Sequence, residues 1–159
     1  MLSLAGDTVW PQKVAQGLAK QSPEDTVVQF VGLPTLRAQL ALSSNEAQEA
    51  IGSLQSAAPY ELGEDAGLFP AFVRGEAYLA AHLGSDAAAE FQKILDHRGV
   101  VGNHSIGALA HLQIGRAYAM QGDIAKARAA YQDFLTLWKD ADPDIPILQQ
   151  AKADYAKLK

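Results

Sequence analysis

Apolar residues recur along this chain with the three-and-four spacing of helices that bury one face. Ala47, Ala50, Ile51 and Leu54 form one such stripe and predict a helix from about 46 to 57. Near the end, Ile147, Leu148, Ala151, Tyr155 and Leu158 fall on one face and Gln149, Gln150, Lys152 and Lys157 on the other. That split predicts a last helix over about 146–158. The same reading predicts helices near 67–81 and 86–96, a loop over 97–105, and helices near 106–121 and 124–139. Val14, Ala15 and Leu18 give an earlier helix an inner face up to about Lys20. A helix over 26–42 carries Gly32 and Pro34 inside it, which should kink or divide it. Asp7 or Thr8, Asp25, Ser44 or Asn45, and Asp144 are the expected caps, with Pro11 and Pro146 in first turns where a missing N–H costs little.

A second pattern lies on top of the periodicity. Gly75, Tyr78, Ala87 and Phe91 are matched forty residues later by Gly115, Tyr118, Ala127 and Tyr131, and Ala50 stands 37 residues before Ala87. Residues without bulk let two helix axes approach while the aromatics fill the space beside them. Gly122-Asp123 marks the turn of the later copy. His82 occupies the Gly122 position, and because Gly84 follows, the earlier turn is expected to be shifted; should His82 be left-handed, His tolerates that better than most residues.

A glycine, a tyrosine, a Gly-Asp turn, an alanine and an aromatic in that order resemble the tetratricopeptide repeat. The resemblance implies an all-α chain: a right-handed superhelix (α-solenoid) of antiparallel helix pairs over about 26–57, 67–96 and 106–139, closed by a C-terminal capping helix. The whole of 1–159 then reads as one domain. Leu2, Leu4, Ala5 and Gly6-Asp7 read as the end of a truncated, degenerate first repeat (1–20), with Pro11 at its signature alanine position, so a longer parent protein is expected. The segments AAPYELG, RGEAYLAA, AAAEFQKILDHRG, GALAHLQIGRAYA and ARAAYQDFLTLWKDADPDIPIL are similar to the C-terminal repeat regions of bacterial serine/threonine protein kinases and winged-helix regulators. That likeness implies a partner-recruiting role in a signalling protein, any kinase activity residing upstream.

Composition removes several alternatives. Thirteen Lys+Arg against 18 Asp+Glu, with no basic stripe, argue against a nucleic-acid partner. The absence of cysteine rules out disulfides and thiolate metal sites and favours a cytoplasmic setting. No apolar run has the length of a membrane span.

Candidate chemistry is sparse. His97-Arg98 begins like a kinase catalytic loop, but Gly99 stands where the aspartate base belongs. Ser105 lies among glycines without the spacing of a nucleophile elbow. His82, His97, His104 and His111 lack carboxylates at a spacing that would complete a metal shell. Acids such as Glu64-Asp65 and Asp140, Asp142 and Asp144 read as solvated loops and caps. No catalytic residue, cofactor or metal is expected. Carried over from the repeat family, the groove lining would be Thr35, Gln39, Phe72, Glu76, Leu79, Leu112, Arg116 and Met120, with Glu76 and Arg116 free for a partner or else solvated or paired with each other. The set lacks the Lys/Arg cluster that clamps a C-terminal carboxylate in chaperone-binding members. The expectation is therefore a non-catalytic scaffold holding a protein or peptide. The alternative is a ligand-sensing domain with a small molecule near Phe72, His104, His111 and Arg116.

Overall fold

The computed structural model describes residues 9–63 and 67–158, and every regular element among them is helical. In order these are α1 (Val9–Gln21), a π-helical turn (Val28–Gly32) running directly into α2 (Leu33–Ser43), α3 (Ala47–Ser53), a 3₁₀ segment (Gln55–Tyr60), α4 (Phe69–Ala80), α5 (Gly84–Asp96), the short α6 (Arg98–Val101), α7 (Ile106–Met120), α8 (Ile124–Leu137) and α9 (Pro146–Lys157). The truncated first repeat before residue 9, the Asp7/Thr8 cap and the Glu64-Asp65 pair lie outside the described residues.

The turns between α2 and α3, α4 and α5, and α7 and α8 share one hydrogen-bond pattern. Asn45, His82 and Gly122 are all left-handed, with φ of 61°, 58° and 79°. The next N–H in each turn, from Glu46, Leu83 or Asp123, reaches back to the carbonyl of Ala41, Tyr78 or Tyr118 at 2.8, 2.8 and 3.0 Å. The N–H groups of Asn45, His82 and Gly122 themselves bond the carbonyls of Leu42, Leu79 and Ala119. This paired closure is the Schellman arrangement, which satisfies carbonyls a helix end would otherwise leave open. Two expectations are corrected. The α4–α5 turn is not shifted, because His82 adopts the glycine conformation and Gly84 already belongs to α5. Asn45 does not cap α3; its backbone makes the turn, and Glu46 precedes the helix without a side-chain cap.

The two repeated glycines lie directly against aromatic rings of the following helix. A Cβ built on Gly75 would stand 2.6 Å from Phe91 Cζ, and one on Gly115 2.8 Å from Tyr131 Cδ2. Such distances admit hydrogen only. In the α2/α3 pair the corresponding residues are Ala38 and Leu54, both wholly buried in one cluster with Ala50, Val73 and Ala77. A larger small residue there faces a smaller large one, so the volume at the contact is conserved. Ala87 and Ala127 are wholly buried as well.

Apolar contacts tie the pairs in sequence. α4 lies against α2, α3, α5 and α7, and α7 against α4, α5 and α8. Beyond α8, Leu112, Tyr131 and Phe134 are covered by Leu148 and Ala151 of α9, with Trp138 against Phe134 at 5.0 Å between ring centres. Asp144 does not cap α9: extended Ile145 precedes the helix, while Asp142 Oδ1 accepts the Asp144 N–H at 3.0 Å. The expected 97–105 loop contains α6, then Gly102 at φ 56°.

Gly32 and Pro34 do not divide their helix. The Leu33 N–H bonds the Val28 carbonyl five residues back, forming the π turn just ahead of Pro34. Pro34 lacks an N–H, and its ring would crowd the carbonyl four residues earlier in a regular helix. The wide turn moves that ladder aside, and Thr35 Oγ1 donates to the Val31 carbonyl at 2.6 Å. Asp25 caps the start, its Oδ1 accepting the Val28 N–H at 2.9 Å. No helix among the described residues is long and apolar enough to cross a membrane.

Candidate functional site

The expected groove residues fall on α2, α4 and α7, but two are not surface. Phe72 is 8% exposed and packs edge-on to Phe91 at 5.7 Å, inside the cluster between α4, α5 and α7. Leu112 is 0% exposed beneath α8 and α9. The docking of α9 takes it from the surface, a contact that repeat register alone does not specify. Thr35, Gln39 and Leu79 are half-buried and Met120 is 42% exposed, so these four can meet a partner.

Glu76 and Arg116 occupy the same position in successive pairs, and one glutamine from α7 joins them. Gln113 Nε2 donates to Glu76 Oε1 at 3.0 Å, and Gln113 Oε1 accepts from Arg116 Nη1 at 3.2 Å. Arg116 Nη2 in turn donates to Asp154 Oδ2 on α9 at 3.2 Å. Both charges are thus engaged by the fold, through a bridging amide rather than by direct pairing. Burial pushes the Glu76 carboxyl up to about 7, opposed by the Gln113 hydrogen bond and the Arg116 charge.

A second polar group was not anticipated from the sequence. Glu61, in the connection after the 3₁₀ segment, lies beneath the surface against Arg74 of α4. Arg74 Nη2 also meets Glu90 Oε2 at 2.7 Å, and its Nη1 donates to the Leu54 carbonyl at 3.3 Å. Lys93 closes the set, with Nζ 3.2 Å from Glu61 Oε2 and 3.1 Å from Glu90 Oε2. Burial alone would lower the Arg74 pKa, but hydrogen bonds to Glu61 and Glu90 raise it above its ordinary value. Two acids and two bases balance, and every partner belongs to the fold. This is a clamp fastening the connection to α4 and α5. The sequence signal was a run of charges at helix positions 74, 90 and 93, which by itself reads as solvated surface.

Of the four residues expected around a small molecule, His104 and His111 share a cleft of about 470 Å³, whereas Phe72 and Arg116 do not line it. Phe72 is core and Arg116 is turned to α9. Ile94, Leu95, Val101 and Leu137 give the cleft apolar surface, and Arg98 and Asp133 bring opposite charges to it. His111 Nδ1 lies 3.7 Å from Asp133 Oδ2. Burial lowers the His111 pKa; Asp133 opposes the shift and Arg98 adds to it. His104 stands edge-on to Phe69 at 5.2 Å. Among the described residues no three histidine or acidic side chains converge on a metal position.

The chain matches no family model, no curated protein and no solved structure.

Proposed function

We propose that this chain is a non-catalytic helical-repeat module of the tetratricopeptide type, whose antiparallel pairs stack as a right-handed superhelix and hold a protein or peptide partner along α2, α4 and α7. The constancy of the hairpin carries the reading. From Ala38, Gly75 and Gly115 it is twelve residues in every case to Ala50, Ala87 and Ala127, across the same left-handed turn. Units that repeat one contact at one spacing present their first helices side by side, an extended surface suited to a partner. The exposed part of that surface is mixed, with Thr35, Gln39, Leu79 and Met120. Residence in a larger bacterial signalling protein of the cytoplasm completes the proposal.

Photo-crosslinking tests it. A benzophenone side chain at Gln39, Leu79 or Met120 should yield partner adducts in cells, and one at Glu49 or Gln92, exposed on the second helices, should not. Adducts confined to the second-helix positions would overturn the reading.

A further inference from the structure

The cleft between α5, α6, α7 and α8 is where the repeat departs most from itself. The chain from Phe91 to Gly115 is three residues longer than the corresponding stretch from Leu54 to Gly75. The added length falls in the segment that carries α6, Gly102 and Asn103, which form one wall of the cleft. Within the helices, where register is fixed by the glycine contacts, His111 stands where α4 has Ala71, and Asp133 where α5 has Lys93. Both replacements line the same space.

Their chemistry is complementary. Arg98 is exposed and forms no ion pair with any described residue, and Asp133 has only the His111 ring at 3.7 Å, beyond hydrogen-bond length. A cation and an anion thus line one small cleft together with apolar side chains. Elsewhere the fold spends its buried charges on one another, as at Arg74 and Arg116. A ligand that answers both charges must carry both signs itself, together with an apolar body. The volume lies within the range of small-molecule sites.

We propose that this cleft binds a free α-amino acid with an apolar side chain: its carboxylate meets Arg98, its ammonium meets Asp133, and its side chain lies against Leu95 and Leu137. A carboxylate and a guanidinium form charge-assisted hydrogen bonds of the stronger kind, and so do an ammonium and a carboxylate. His111, beside Asp133, closes the inner end. The inference stands apart from the partner-binding reading, since the cleft does not include Gln39, Leu79 or Met120.

L-Leucine titrated calorimetrically into the full chain provides the test, alongside N-acetyl-L-leucine, which lacks the ammonium, and L-leucinamide, which lacks the carboxylate. Leucine should bind saturably, and each analogue at least about tenfold more weakly. Asp133→Asn should weaken leucine by a similar factor while leaving N-acetyl-leucine unchanged; Arg98→Gln should do the same with leucinamide unchanged. Both side chains are exposed at the rim, so these variants should keep the wild-type melting curve. Ala108→Leu, which fills the cleft from α7, should abolish binding. The proposal is overturned if leucine gives no saturable heat, if either analogue binds as well as leucine, or if both charge variants bind it undiminished.

Discussion

Where the chain enters α4 and α5, Glu61, Arg74 and Glu90 meet below the surface; forty residues on, Val101, Ile114 and Ala130 belong to one apolar cluster. The surrounding contacts are alike: a glycine against an aromatic ring, a buried alanine, the same left-handed turn. One backbone therefore accepts two fillings. The ionic version must repay the desolvation of three charges, and it does so only while all its members are present; the apolar version carries no such condition. Shape is set by the turn and the small residues, and the joint between pairs is free to vary in chemistry so long as it is complete.

The largest expected effect breaks the ionic joint. Arg74→Met should cost about 3–5 kcal/mol by leaving Glu61 and Glu90 buried without a partner. Transplanting the apolar set, Glu61→Val with Arg74→Ile and Glu90→Ala, should restore stability to within about 1 kcal/mol of the wild type, since Lys93 can turn to solvent. Urea unfolding measures both. A triple variant as weak as Arg74→Met would show the two joints are not interchangeable.

Next in size is the contact they share. Gly75→Ala should cost about 1–3 kcal/mol, because Phe91 is wholly buried and has no room to retreat. Adding Phe91→Leu, which imitates Ala38 with Leu54, should recover part of that loss. Gly52→Ala, with nothing within 4 Å of the new carbon, is the internal control and should not destabilise. Equal thermal shifts at Gly75 and Gly52 would deny the close approach.

The smallest effect concerns Glu76, whose counterpart in the next pair, Arg116, is opposite in sign. Burial raises the folded-state pKa of Glu76 to about 7, so the folded chain keeps a proton that the unfolded chain releases at lower pH. Its favourable contribution is complete below the ordinary glutamate range near 4.3 and is lost as pH rises through about 7. Glu76→Gln should flatten that slope and gain about 1–2 kcal/mol at pH 8, while matching the wild type near pH 4. Parallel pH profiles for the two proteins would contradict the burial of a proton there.

The features that repeat were legible in the sequence. Gly75 and Gly115 as points of close approach, the turn at Gly122-Asp123 and the apolar face of α9 all follow from spacing, because period and offset are local properties, whereas the unshifted turn at His82 did not. Phe72 and Leu112 were misplaced because register says which side of a helix a residue is on, not what later covers that side. Leu112 is closed over by Leu148, far along the chain. The Glu61–Arg74–Glu90–Lys93 group was invisible for a related reason: Glu61 and Lys93 are 32 residues apart, and each charge alone fits an exposed position. The cleft was half legible: His104 and His111 are close in sequence, while Arg98 and Asp133 are brought to them by α6 and α8.

The wide turn at Val28–Gly32 holds one residue more than an ordinary coil of helix would. The helical backbone just upstream of Val28 is consequently rotated by about 100° from where a uniform helix would put it. Shortening that segment by a residue would swing Val27 and Phe30, both partly exposed, to a different compass bearing while α2 stayed seated, and would part Phe30 from the Tyr60 ring on which it stacks at 5.5 Å.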